Sequence, residues 1–246
     1  MDSPGYIILS RMVAQNRATA VLAHNMANTD TPGFQAQRPV FAAFASRAQA
    51  GTAGGEAMRD AAYSWDRATW RDGAAGAIQR TGNPLDVALS GEGYFAVDTP
   101  RGERFTRAGR FTLDPDNRVV DQEGNAVLST TGQPLSVAPG DSRLTIAGDG
   151  TLSSESGPIG QFRVVRFPDQ QRMLAEGDRL FSSADAPVPV ERPTVVQGAV
   201  EGSNVRPIME LTRLTNELRE FQMAAQFADK EGERMQSAID RILRRR

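Results

Sequence analysis

Between Leu211 and Ile242 apolar residues return at alternating spacings of three and four: Leu211, Leu214, Leu218, Phe221, Ala225, Ala228, Gly232, Met235, Ile239 and Ile242. That spacing lays one stripe along a helix, and when sustained over this many turns it is the seam of a helix packed on another helix. Ser203 and Asn204 are candidate caps, and Pro207 suits the first helical turn, where no N–H is needed. From there to the end of the chain a helix would run about 60 Å at 1.5 Å per residue. This is longer than a compact domain of the chain's 246 residues can use by itself. Each large apolar side chain left in water forgoes roughly 1–3 kcal/mol, and an open seam invites association. The segment therefore needs a partner, within the chain or between copies.

The only other long helical stretch is at the start. Ser3-Pro4 is a helix-start signal, and no further Pro or Gly follows Gly5 until Thr29-Asp30-Thr31-Pro32-Gly33, which favours turns. Its predicted apolar stripe is Leu9, Val13, Asn16, Ala20, Ala23 and Ala27, widened by Met12, Val21, Leu22 and Met26. Residues 35–80, rich in Ala, Gly and Arg, read as an irregular or extended connection that is partly mobile around Gly51 to Gly55. From Leu85 to Val196 short β-prone runs alternate with turn signals such as Asp114-Pro115-Asp116-Asn117 and Glu123-Gly124-Asn125. That density of turns predicts an all-β sandwich or barrel-like region. The expected fold class is α+β: long N- and C-terminal helices forming a coiled-coil unit, with a central mainly-β domain inserted between them. Residues 1–34 and 203–246 would form the discontinuous helical unit, 35–80 the connection, and 81–202 the β domain with its return linker.

Composition narrows function sharply. With no Cys and a single His, His24, the chain lacks the residues for Cys nucleophiles, zinc clusters or iron–sulfur ligation. A Ser-His-Asp triad would have to use His24, and nothing nearby supplies its partners. The acidic run Asp114, Asp116, Asn117 and Asp121 lacks the Gly and terminal Glu of a calcium loop and reads as a turn. Gly91-Glu92-Gly93 and Gly148-Asp149-Gly150 complete no phosphate-binding fingerprint. A formal net charge of −2 argues against a nucleic-acid partner. No apolar run is long enough to span a bilayer, and the start has no cleavable signal pattern, so direct membrane insertion is not expected. The chain is thus expected to take no cofactor, metal or small-molecule substrate.

Three segments carry a resemblance. Residues 23–34, AHNMANTDTPGF, resemble the A-N-N-x-A-N-x-x-T-x-G-F signature of bacterial flagellar rod and hook proteins. QGAVEGSNV, residues 197–205, is similar to the Q-G-x-L-E-x-S-N-V motif preceding that family's C-terminal helix, and GNPLDVALSGEGYF resembles its central G-x-x-L-D-x-A-I-x-G-x-G-F-F region. His24 stands where the first Asn of the signature is usual.

The resemblance implies a non-enzymatic structural subunit of the flagellar basal-body rod, nearest the proximal rod, in a hollow shaft that transmits torque. A distal-rod or hook-type subunit is the alternative within the family, and a cell-wall glycan-acting enzyme the alternative outside it. It implies as partners other rod proteins, copies of the same chain and the flagellar type III export apparatus, with export across the periplasm without a cleaved signal. Asn25, Asn28, Thr31, Gly33 and Phe34 match the first motif, and Gly198, Glu201, Ser203 and Asn204 the last. Asn28 and Thr31 would satisfy backbone groups at the helix end, Gly33 permit a turn, Phe34 anchor the departing chain, and Ser203 or Asn204 cap the second helix. Leu211, Leu214, Leu218, Phe221, Met235, Ile239 and Ile242 are the expected subunit-packing residues.

Overall fold

The computed structural model describes residues 4–47, 60–177 and 179–244. Helix α1 runs Pro4–Ala27; β1 (Gln37–Arg47) and β2 (Asp60–Arg71) follow and pair with each other. Next come β3 (Ile78–Arg80), β4 (Val87–Leu89), β5 (Tyr94–Thr99), β6 (Gly102–Thr106), β7 (Thr112–Leu113), β8 (Val119–Val120) and β9 (Ala126–Val127). Strands β10 (Thr145–Ile146), β11 (Thr151–Ser154), β12 (Gly157–Gln161) and β13 (Val164–Arg166) lead to a 3-10 turn at Gln170–Arg172. The chain continues through β14 (Leu174–Ala175), β15 (Leu180–Ser182), β16 (Val188–Pro189), β17 (Val195–Gln197) and β18 (Ala199–Glu201) before helix α2, Pro207–Leu243. Two compact units result: one takes the helices with residues 37–70, the other residues 28–36 and 71–205.

In the β unit, β5 is the strand on which the rest is arranged. Its partners are β6, β9 and β13, all antiparallel, and its side chains alternate between two cores. Phe95 and Val97 enter a core with Val87, Phe111, Val119, Leu152 and Phe162. Tyr94 and Ala96 enter the other, with Phe105, Val165, Phe167 and Phe181. A strand covered on both faces must be apolar at successive positions, and the Tyr94-Phe95-Ala96-Val97 run meets that demand. Few aromatics suffice because they are concentrated: the Phe95 ring meets Phe111 and Phe162 edge-on at centroid distances of 5.3 and 5.8 Å. Around this centre lie the three-stranded β10–β11–β12 sheet and two small pairings, β17 with β4 and β18 with β3, which bring the end of the unit back onto its beginning.

The helical unit departs from expectation in three ways. The predicted pair of long terminal helices forming a coiled coil around an inserted β domain is not present. Helix α1 has 24 residues against 37 for α2, about 36 Å against 55 Å, and the β1–β2 pair groups with the helices, so the β structure is not one central insertion. Second, the centre line of the stripe predicted for α1 is exposed, Leu9 at 56% and Val13 at 63%, whereas Val21 and Leu22 on its margin are buried together with Ala14, Gln15, Ala18 and Asn25. Helix α1 carries apolar or small residues on every side, so periodicity could not choose a face. Third, α2 is capped by neither Ser203 nor Asn204. Its N-cap is Arg206, with no side-chain cap bond and Pro207 at the first turn.

Residues 35–80, expected as an irregular or extended connection, contain β1, β2 and β3; the stretch around Gly51 to Gly55 lies outside the described residues. Replacing Phe111 by Ala removes a wholly buried ring and should cost about 3–5 kcal/mol in urea unfolding of the full chain. Leu174→Ala, at a side chain 69% exposed, should stay within about 0.5 kcal/mol of the parent.

Candidate functional site

The two motif segments of the β unit meet at one buried ion pair. Arg107, just beyond β6, places its Nε and Nη2 on Oε2 of Glu201 at 2.8 and 2.7 Å, and both side chains are almost fully buried. Neither charge is left wanting. Arg107 Nη1 and Nη2 donate to the carbonyls of Gly93 and Gly91 at 2.8 and 2.9 Å, and Oε1 of Glu201 accepts the Gly76 N–H at 2.9 Å. Burying two ions costs several kcal/mol each unless every polar atom is met, and here the protein meets them.

The main chain closes around the same point. Gly33 donates its N–H to the Glu201 carbonyl at 2.8 Å, and Asn204 donates its own to the Phe34 carbonyl at 3.3 Å. Gly33 has φ of +70°, and a Cβ there would fall 2.5 Å from the Arg107 carbonyl carbon, so both conformation and space demand glycine. The Asn204 side chain, instead of capping a helix, accepts from the Ala36 N–H at 2.7 Å and donates to the carbonyls of Asp72 and Ala74 at 2.9 and 2.8 Å. One amide thus joins three chain segments. Ser203 Oγ accepts from Val205 N–H, Thr31 Oγ1 bonds Asn28 Oδ1 at 3.1 Å, and Gly198, with φ of +69°, makes the turn from β17 to β18. Above Arg107 lies the ring of Tyr94, whose hydroxyl reaches Gln35 and Gln170; burial raises its phenol above the usual pKa, an effect that the Gln35 hydrogen bond opposes.

In the helical unit the remaining motif residue, Asn25, is fully buried and acts as a false strand. Its Oδ1 accepts the Gln37 N–H at 2.9 Å and its Nδ2 donates to the Gln37 carbonyl at 2.8 Å, which fixes the start of β1 against the end of α1. Nδ2 also reaches Glu210 Oε2 at 3.3 Å. Glu210, 2% exposed, is balanced by Arg213 at 2.7 Å and Arg38 at 3.6 Å. Nearly three turns further along α2, Arg11 and Gln15 of α1 donate to Glu220. Desolvation, and then the charge of Glu220, push the Glu217 carboxyl above its ordinary pKa, while Arg11 opposes the shift.

The expected packing residues are not gathered into a closed core. Leu211, Leu218, Phe221, Met235 and Ile242 are 52, 46, 36, 48 and 71% exposed; Leu214 is half-buried, and the side chain of Ile239 lies outside the described residues. Arg107, Glu210 and Gln37 were not foreseen. Arg107 has no local signature, because its partners stand elsewhere in the chain, whereas an acid in the first turn of a helix predicted to bury one face was a usable signal for Glu210. Among the described residues no group of His, Cys, Asp and Glu is arranged to hold a metal, and no helix is long and apolar enough to cross a membrane.

The β unit is tied shut at its motif segments, and α2 of the helical unit exposes large apolar side chains. Three family models match in chain order: the flagella basal body rod protein over residues 6–35, the D1 domain of the flagellar hook protein FlgE/F/G over 88–154, and the C-terminal region of the flagellar basal body rod FlgEFG protein over 196–241. The chain is 31% identical to the flagellar basal-body rod protein FlgF of Caulobacter vibrioides over 98% of both chains, and 31% identical to FlgF of Mesorhizobium japonicum over 92% of this chain and 91% of that one. The rod protein FlgG of Bacillus subtilis is 28% identical over 89% of this chain and 91% of its own. The chain belongs to the flagellar basal-body rod protein family and is a structural subunit of the rod, not an enzyme. Membership places it in the flagellar basal body, in assembly with other rod and basal-body proteins.

Because the Arg107–Glu201 pair is buried, breaking it from one side should be far worse than removing it. Arg107→Met should cost about 3–5 kcal/mol in urea unfolding of the full chain, and Arg107→Met with Glu201→Leu should recover a large part of that loss.

Proposed function

We propose that the chain is a subunit of the proximal rod and transmits torque through contacts made by α2 with neighbouring rod proteins and with copies of itself. The observation that carries this reading is the exposed apolar series on α2, Leu211, Leu218, Phe221, Met235 and Ile242, in a chain whose β unit already has complete cores. Burying such side chains between subunits would contribute roughly 1–3 kcal/mol each. Support for the proximal position comes from the relatives named FlgF; the FlgG relative at 28% identity favours a distal-rod subunit as the second reading.

In this reading the motif residues are positioning groups. Asn28, Thr31, Gly33 and Phe34 turn the chain out of α1, while Gly198, Glu201, Ser203 and Asn204 hold the segment that leads towards α2. Asn25 sets the direction in which β1 leaves the helix. The chain would reach the rod through the flagellar type III export apparatus, without a cleaved signal, and take its place across the periplasm. An exposed packing residue should fail without unfolding the chain. Leu218→Asp is expected to abolish rod assembly and swimming while the circular dichroism of the β unit is unchanged, and parental swimming by that variant would sink the packing role.

A further inference from the structure

Helices α1 and α2 run antiparallel within the helical unit. Asn25 meets Glu210 and Gln15 meets Glu220, over equal intervals of the two helices. That register brings Glu217 level with Ala18, a turn from Gln15, and Ala18 and Glu217 line one open cavity of about 410 Å³.

Two polar groups in this contact are incomplete. Oε1 of Gln15, on a side chain 6% exposed, is shut off from solvent and accepts no hydrogen bond from any described residue. Glu217, half-buried, has neither a hydrogen bond nor an ion pair among the described residues. The bases around it are committed elsewhere: Arg213 on its own helix and Arg38 on β1, which share the cavity wall, hold Glu210, and Arg11 on α1 holds Glu220. Glu220, a turn along α2, sets a like charge beside it, which Arg11 only partly offsets. A stranded acceptor thus stands a turn from an acid without a counterion, and a single proton would complete both.

We propose that Glu217 and Gln15 form a proton-operated latch inside one chain: the Glu217 carboxylate takes a proton from water and donates it in a hydrogen bond to Oε1 of Gln15, tightening α2 on α1 in acid. Uptake also removes the repulsion between Glu217 and Glu220. Desolvation, and then the Glu220 charge, raise the Glu217 carboxyl above its ordinary pKa in the folded chain. The stabilisation is therefore fully present below the ordinary value of about 4.3 and is lost as the pH rises through the raised one. Asp114, Asp141, Asp149, Glu155 and Glu176 of the β unit behave oppositely. Hydrogen bonds lower their carboxyls, so their contribution is lost only as the pH falls through those lowered values, outside this window.

The test uses the full purified chain. The carboxyl-carbon NMR signal of Glu217, assigned by its disappearance in Glu217→Gln, is titrated from about pH 4 to about pH 8 in the parent and in Gln15→Met. That variant removes the acceptor and keeps the side-chain length, and circular dichroism checks its helices. The midpoint is expected to fall in Gln15→Met. Burial by itself predicts the reverse, because methionine makes the surroundings of Glu217 more apolar, so a midpoint that stays or rises overturns the proposal. Glu217→Gln carries a donor that needs no proton. At about pH 8 it should make the urea unfolding constant of the helical signal about two- to tenfold smaller than the parent's. If Gln15→Met loses its helices, the comparison at position 217 decides: greater stability of Glu217→Gln than of Glu217→Met upholds the latch, and equal or lesser stability overturns it. The other titratable groups, His24 included, are common to every chain compared.

Discussion

A guanidinium and a carboxylate that have left water must be held by the fold, and in the β unit the fold is held by them in return. Arg107 comes from the middle of the unit and Glu201 from its last strand, and the contacts that satisfy them draw in Gly76, Gly91 and Gly93. Each glycine is held there by its own surroundings: Gly91 and Gly93 have φ of +129° and +144°, and a Cβ at Gly76 would fall 1.8 Å from the Gly202 carbonyl oxygen. The same carboxylate-bearing residue receives the Gly33 N–H on its main chain, so the unit's first segment is placed by its last. An ion pair of this kind adds little net stability over a well-packed apolar substitute, yet it penalises every arrangement in which the ends fail to meet. Its contribution is uniqueness of closure.

Much of the architecture could be read from local pattern, and the exceptions share a cause. The Tyr94 to Val97 run and the turn at Asp114 to Asn117 announce themselves, because a doubly covered strand and a tight turn each impose rules on neighbouring residues. Helix α2 was equally legible as a helix, since a repeat of three and four over so many residues has one economical interpretation. What could not be read is whatever depends on a choice between equivalent faces or on a distant partner. Helix α1 carries apolar residues on every side, so periodicity does not separate the exposed Leu9 and Val13 from the buried Val21 and Leu22. Asn204 had the right residue type and position for a cap; its actual acceptors, at Asp72 and Ala74, lie too far away in sequence for any local rule to name.

The two motif asparagines show how differently one side chain can be used. Asn25 offers its amide to both main-chain groups of Gln37 and so imitates a neighbouring strand, whereas Asn204 spreads its amide over Ala36, Asp72 and Ala74. In each case a short planar group with one acceptor and two donor hydrogens replaces backbone pairing where no regular element continues. Aspartate would match the shape but lose the donors, and glutamine would match the chemistry but need an additional rotamer fixed. The motif letters are thus accounted for by geometry within the chain, leaving the outer surface of α2 free to vary with its neighbours.

The bonds from Gly33 to the Glu201 carbonyl and from Asn204 to the Phe34 carbonyl set the entrance and the exit of the β unit beside each other. Mechanically this is a clasp. Tension entering at Gly33 and leaving at Asn204 meets these bonds and the end of β18 before it reaches the aromatic cores. Exposed turns within residues 71–205 can therefore lengthen or shorten without moving the two points at which the chain enters and leaves the unit.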